Sequence, residues 1–303
     1  MMLKNEIIKI YQNNNYITND NNNEDKNIFL FDNDKTLIDT IKLKRVFGKS
    51  QKLILEIMCN NNIINDKYHA IEINPYGYVN SKREKKDGIT YFGNCLNQDE
   101  NIYGEIDYLI NNDENNDEDN GNYGKLFMIK FNPDDLNYYI KDLGKGFGTF
   151  IKIQEWTEIK NNFLLNIGDN YIVLSFENDE DEDNIKNILT KKEGDNSLYI
   201  KIFSLNSQIK SYKFYPSQCP ITMGRSKENN IYIDDDMLSR IHCTIDYRSE
   251  KWYIQDGYAK NGLKEEEIKK STNGCWIYAY DETQIVNKMI FKSNHNIFIC
   301  NLI

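Results

Sequence analysis

The chain has 303 residues, with 37 Lys and Arg against 47 Asp and Glu, for a formal charge of −10. That balance speaks against general nucleic-acid binding, whose affinity rests on Lys and Arg neutralising phosphates, but it leaves room for a small local basic pocket. Hydrophobic residues make up 40% of the chain, and the length suits two domains of ordinary size.

Residues 1–34 are polar and Asn-rich (YQNNNYITNDNNNEDKN) and are expected to form a tail or arm. In 35–60, Leu37, Ile38 and Ile41, then Leu53, Ile54, Ile57 and Met58, recur at helical spacing. Short helices are therefore expected, with Asp34 capping the first and Gly48 breaking the pair. The arm as a whole is taken to span 1–62.

From about residue 67 the period changes. AIEINPYGYV, GITYFG, KLFMIKF, NYYIKDLG, GTFIKI and YIVLSFE are short, rich in Ile, Tyr, Phe and Val, and bounded by Gly, Asn, Asp or Pro. Such evenly punctuated runs predict an all-β sandwich or barrel over 63–178. NNDENNDEDNGN (111–122) interrupts the series as an acidic loop, and ENDEDEDN (177–184) opens an acidic linker taken as 179–196. A second strand series fills 197–303: SLYIKIFSL, KSYKFY, PITMG, NIYID, HCTIDY, KWYIQD, GCWIYAY, MIFK and NIFICNL. GITYFGN parallels PITMGRS, and YYIKDLGKGFGTFIKI parallels WYIQDG…STNGCWIYAY, so the two series read as a tandem duplication.

The six cysteines (Cys59, Cys95, Cys219, Cys243, Cys275 and Cys300) form no C-x-x-C pair, and there are three histidines. Reduced, inert thiols are expected, with no metal site and no cofactor. No h-region with a small-residue cleavage site and no run of about 18 apolar residues appears. No membrane partner is expected. The expected location is intracellular: cytoplasm, cytoskeleton or cilium, or nucleus.

One constellation carries chemistry. A phosphate needs a fixed cation, and the planar, multidentate guanidinium of Arg serves better than Lys. It also needs hydroxyl and backbone donors from neighbouring loops. In G-R-S…I-x-I-x-D…L-S-R-x-H…W-x-I-x-D…S-T-N-G, Gly224 and Arg225 end one strand. Ser239, Arg240 and His242 follow in the next loop, and Thr272, Asn273 and Gly274 in a third. This order resembles the forkhead-associated (FHA) domain, a β-sandwich that binds phosphothreonine peptides. The resemblance implies that Arg225 and Ser239 bond the phosphate, with Arg240 a further contact of that loop. It implies that Thr272 adds a hydroxyl and that Asn273 grips the peptide main chain. Gly224, His242 and Gly274 would support the site. The stretch 257–270 (GYAKNGLKEEEIKK) is longer than the family's usual turn and borders the binding face.

The first series resembles the same fold without its site. Gly93-Asn94 stands where Gly224-Arg225 stands, Gly124-Lys125 precedes LFMIKF, and Lys145, Gly146, Phe147 and Gly148 replace Ser-Thr-Asn-Gly. The expected fold class is thus all-β, two tandem FHA-type sandwiches after a short helical or disordered arm, the first degenerate. The expected function is a non-enzymatic adaptor for a phosphothreonine-containing protein, with other subunits of an assembly as further partners. The alternative is a structural component of a cytoskeletal or ciliary assembly that uses both sandwiches for phosphorylation-independent docking. FLFDNDKTLIDT also fits the D-x-D-x-T signature of haloacid-dehalogenase-like phosphatases, with Asp32 and Asp34 as nucleophile and acid/base. A β-sandwich series follows it where that chemistry needs an α/β domain, so no catalytic residue is expected.

Overall fold

The short runs of β-branched and aromatic residues form strands, because such side chains suit a pleated, half-buried surface. In the computed structural model, the residues described are 41–58, 70–94, 105–110, 124–176, 196–204, 208–259 and 268–303. The chain ahead of the acidic stretch 177–184 gives β1 (Leu53–Met58), β2 (Ala70–Asn74), β3 (Gly77–Tyr78), β4 (Ile89–Asn94), β5 (Tyr108–Leu109) and β6 (Gly124–Asn132). It continues with β7 (Asn137–Asp142), β8 (Thr149–Lys152), β9 (Thr157–Glu158), β10 (Phe163–Ile167) and β11 (Asn170–Ser175). The chain after that stretch gives β12 (Leu198–Ser204), β13 (Lys210–Phe214), β14 (Ile221–Gly224), β15 (Ile231–Tyr232), β16 (Cys243–Arg248) and β17 (Lys251–Asp256). Then come β18 (Tyr258–Ala259), β19 (Ile268–Lys269), β20 (Trp276–Tyr278), β21 (Thr283–Gln284), β22 (Ile290–Ser293) and β23 (Asn296–Leu302). The fold class is all-β, as the sequence pattern predicts. Among the described residues no helix is long and apolar enough to cross a membrane.

The strands pair out of sequence order. One compact unit is Lys152–Tyr278; the other combines the chain up to Ile151 with Ala279–Ile303. In the second of these, one layer runs β3-β2-β1-β23-β22-β8 and the other β21-β7-β6-β4-β5. The last three strands of the chain, β21, β22 and β23, thus complete a sandwich begun by β1–β8. In the Lys152–Tyr278 unit, one layer runs β13-β12-β11-β10-β20 and the other β15-β14-β16-β17-β9. Here β9, β10 and β11 complete the sandwich with β12–β17 and β20. The compact units therefore do not coincide with the segments 63–178 and 197–303.

Each unit has its own core. The discontinuous unit is aromatic at its centre: Phe92 stacks on Phe127 at 4.5 Å and Phe291 on Phe298 at 4.7 Å. The Lys152–Tyr278 unit is mostly aliphatic, with Leu165, Ile172, Ile200, Ile221, Ile245 and Ile254 fully buried.

Two features of the expected arm need correction or restriction. Residues 53–58, expected to be helical, are strand β1, paired with Ala70–Ile73 on one side and with Ile297–Leu302 of β23 on the other. Leu53 and Leu55 alternate into the core with Ile54 between them half-buried. A run of LILEIM satisfies both periods, and pairing on two flanks decides for the strand. The helix expected upstream is present at 41–46, where Leu43 is buried. Asp32, Asp34, Leu37, Ile38, Cys59, Cys95 and the acidic stretches 111–122 and 177–184 lie outside the described residues.

Candidate functional site

The site is built at one end of the Lys152–Tyr278 unit, from loops that leave β14, β15 and β19. Gly224 ends β14 under close backbone contact: a Cβ there would stand 2.4 Å from the Arg240 carbonyl oxygen and 2.7 Å from that of Ser239. Only glycine fits, and the space lets two loops zip together. The Arg225 amide donates to Ser239 O (3.1 Å), the Ser226 amide to Arg240 O (3.1 Å), and the His242 amide to Met223 O (2.7 Å). The side-chain amide of Asn229 adds a 2.7 Å bond to Arg240 O. Arg225 and Arg240 therefore leave a rigid double loop as exposed side chains.

The third loop, Lys270–Gly274, is docked onto this pair. Ser271 Oγ donates to the buried Asp256 carboxylate (2.5 Å) and accepts the Gly274 amide (2.9 Å). The Thr272 amide donates to Ser239 Oγ (3.1 Å), and the two hydroxyl oxygens, Ser239 Oγ and Thr272 Oγ1, stand 3.4 Å apart. Asn273 is exposed and donates its side-chain N–H to Met237 O (2.8 Å), which leaves its amide oxygen as an acceptor; its own carbonyl accepts the Trp276 indole N–H (2.9 Å).

His242 joins all three loops from below. Its Nδ1 accepts the Ser239 amide (3.1 Å), which leaves the proton on Nε2 to be donated to Gly274 O (3.1 Å). The ring is fully buried, and burial pushes its pKa below the ordinary value of 6.5 despite the Gly274 carbonyl and the charges of Asp256 and Asp235. The neutral ring is thus the form the structure uses.

Arg225, Ser239, Arg240, Thr272 and Asn273 all line one cavity of about 550 Å³. Among the described residues neither guanidinium makes an ion pair. A salt bridge from Arg225 to Asp235 is not made, because the Asp235 carboxylate accepts N–H bonds from Asp169 (3.1 Å), Asn170 (2.7 Å) and Met237 (2.8 Å). The cavity therefore presents two uncommitted guanidinia, two hydroxyls and an amide oxygen. That set can take an anion with several acceptor oxygens together with a peptide main chain. Sequence reasoning missed Asp235, Asn170, Tyr258 and Lys269. Only the Asx-turn pattern of Asp235 with the Met237 amide left a local trace in the sequence.

His242, Asp256 and Cys275 place ligand-type atoms within 4.8 Å of one another. Both ring nitrogens of His242 are engaged in hydrogen bonds within the fold, so this cluster serves as a brace for the loops and has no free nitrogen lone pair for a metal. Of the four described cysteines, Cys243, Cys275 and Cys300 are buried; Cys219 is half-exposed, and all four are free thiols.

The corresponding end of the other unit is closed differently. Gly93 makes the same kind of close approach, with a Cβ 2.4 Å from Gly124 O, but Asn94, in the place of Arg225, is buried. Lys125 is paired with Glu105 (2.7 Å) over the Tyr91 ring. Phe147 is buried beside His295, its amide donating to Asn294 Oδ1 (3.0 Å); Lys145 is exposed.

No curated protein matches the chain at a meaningful level of similarity. The family model described as FHA domain matches residues 221–299, which include every one of the five cavity-lining residues named above. The chain therefore carries an FHA domain, a protein-interaction module of the phosphopeptide-binding kind.

Proposed function

We propose that this chain is a phosphothreonine-dependent adaptor that docks a phosphorylated partner protein through Arg225, Ser239, Arg240, Thr272 and Asn273, and that it performs no catalysis. The observation that carries the reading is the unpaired Arg225 guanidinium in the same cavity as the Ser239–Thr272 hydroxyl pair. In this reading Arg225 and Ser239 hold the phosphate, Thr272 adds a donor, and the Asn273 amide bonds the main chain of the peptide. Recognition is of the phospho-motif type, in which charge-assisted hydrogen bonds supply most of the affinity.

The repeat at 63–178 is a duplicate of the repeat at 197–303, joined to it by the acidic linker 179–196. It takes no phosphopeptide: Asn94 is buried, Lys125 is neutralised by Glu105, and Phe147 stands where a main-chain grip is needed. Its role is scaffolding, with other subunits of an assembly as partners.

The test is binding of the full chain to a phosphothreonine-oriented peptide library, with phosphoserine, unphosphorylated and Arg225→Ala controls. Loss of two charge-assisted bonds predicts a fall of about 10- to 100-fold for Arg225→Ala, with stability changed by no more than about 0.5 kcal/mol because the side chain is exposed. Library binding that ignores phosphorylation would leave the docking-module reading in its place.

A further inference from the structure

The family-type residues account for only part of the cavity. Tyr258, Lys269 and Lys270, which also line it, come from the stretch that makes this chain longer than the usual FHA turn. Strands β18 and β19 form a two-stranded ribbon with Tyr258 paired to Lys269 and Ala259 to Ile268. At Gly257 the ribbon is tied to the sandwich, its amide donating to His242 O (2.8 Å) and its carbonyl accepting the Thr244 hydroxyl (2.9 Å); a φ of +83° and close packing against the ribbon's other strand exclude any side chain there, since a Cβ would stand 2.0 Å from Lys269 O. This anchoring sets Tyr258, Lys269 and Lys270 into the same cavity as Arg225 and Arg240.

The charges then exceed what one phosphate can use. Among the described residues, four cationic side chains, Arg225, Arg240, Lys269 and Lys270, line the cavity against one carboxylate, Asp236, a surplus of three positive charges in a chain whose formal total is −10. A phosphothreonine brings about −1.5 to −2 at neutral pH. Lys270 is tied down, its ammonium donating to Gln154 O (2.6 Å). Lys269 is exposed and, among the described residues, makes no ion pair.

Resting on the phosphothreonine reading above, we propose that the β18–β19 ribbon is a specificity element of the groove, and that Lys269 reads a second anionic group on the same peptide. That group is an acidic side chain or a second phosphate close to the phosphothreonine. Both sources share the chemistry of a carboxylate- or phosphate-type oxygen meeting an ammonium, and the peptides used below separate them.

The experiment uses the full chain and fluorescence anisotropy with four families of labelled peptide. These carry phosphothreonine with neutral flanks, phosphothreonine with an aspartate placed in turn at each following position, phosphothreonine with phosphoserine at those positions, and the unphosphorylated acidic peptides. The protein variants are Lys269→Gln, Lys269→Arg and Arg225→Ala. At one or two positions the second anion is expected to raise affinity about 3- to 10-fold, as for an ammonium–anion pair that is partly solvated. Measured against each variant's own neutral-flank peptide, Lys269→Gln removes that increment while Lys269→Arg keeps it. A larger gain from phosphoserine than from aspartate assigns the site to doubly phosphorylated ligands, and equal gains assign it to acidic ones. Binding of phosphothreonine peptides with no gain from either anion overturns this proposal alone, as does an increment that survives Lys269→Gln. Failure of every phosphothreonine peptide, or equal binding of the unphosphorylated acidic ones, overturns the reading on which it rests and this proposal with it.

Discussion

The Asp235 carboxylate accepts a 2.7 Å hydrogen bond from the Asn170 side-chain amide, and so ties the loop that carries Ser239 to the turn between β10 and β11. Asn170 precedes the acidic stretch 177–184 and Asp235 follows it, 65 positions apart. The same carboxylate also accepts the Asp169 and Met237 amides (3.1 and 2.8 Å), so one side chain fixes both ends of the contact. Met237 in turn offers its carbonyl to Asn273 (2.8 Å). Replacing Asp235 by Ala strands these donors. It should cost about 1–3 kcal/mol of stability in urea titration and weaken phosphopeptide binding several-fold, although Asp235 itself meets no ligand. A variant that loses stability but binds as before would show that the loop holds its shape without this tie.

Gly224→Ala tests the close approach of the two binding loops more harshly. The added methyl meets backbone oxygens of Ser239 and Arg240 and the His242 amide nitrogen (2.8 Å), none of which can rotate aside. Overpacking of this kind typically costs 1–3 kcal/mol, and here the strain falls on the loops that present Arg225 and Ser239. Thermal melting should show the destabilisation. Peptide affinity measured well below the melting range should also fall at least tenfold, about 1.4 kcal/mol, since the displaced atoms are those that position the cavity wall.

The outline of the site was readable because its residues are held in order by short loops between alternating apolar strands, and each residue type has a chemical reason to be there. Arg225, Ser239, Thr272 and Asn273 meet in one cavity as their spacing suggests. Pairing between strands far apart in sequence leaves no such trace. LILEIM fits a helix as well as a strand until β23 pairs along its whole length. Likewise β10 (FLLNI) and β22 (IFKS) are short strands, and nothing local says which sandwich each completes. That choice is made by partners such as Leu165 opposite Ile277 and Phe291 opposite Ile151. Asp235 lies in a run of three aspartates that reads as a solvated loop, and the Asp169 and Asn170 donors that give it a purpose lie ahead of the acidic stretch 177–184.

His242 gives the domain a pH dependence whose sign follows from its burial. The folded-state pKa lies below 6.5, chiefly because burial disfavours the imidazolium. The unfolded chain therefore takes up the proton first as pH falls. The contribution of the neutral ring is fully present above pH 6.5 and is lost as pH drops from there toward the folded pKa. One such group gives a slope of up to about 1.4 kcal/mol per pH unit. Urea midpoints recorded between pH 7.5 and 5 should fall for the natural protein. For His242→Gln they should change far less over that range, from a lower starting stability. Parallel curves for the two proteins would mean that other groups dominate the acid response.

The exchange of strands makes a direct prediction about which fragment of the chain is a working domain. Residues 152–278 hold both layers of one sandwich, the complete cavity and the core cluster that includes Leu165, Ile167, Ile172 and Leu174, each fully or almost fully buried. A fragment cut at the repeat boundary, 197–303, loses those four side chains with β9, β10 and β11. At about 1.5–3 kcal/mol each their burial is worth roughly 6–12 kcal/mol, comparable with the whole stability of an ordinary domain. To fold, that fragment must bring β22 and β23 into the vacated places, which exchanges Phe291 and Phe298, now stacked on each other, for a set of aliphatic side chains. The 152–278 fragment should therefore melt cooperatively and bind phosphothreonine peptide with the affinity of the full chain. The 197–303 fragment should melt earlier or populate a loosely packed state. The reverse order of stability would mean that each repeat closes on its own strands in solution, and that the pairings of Asn170 with Asp235 and of Leu165 with Ile277 are not those the protein uses.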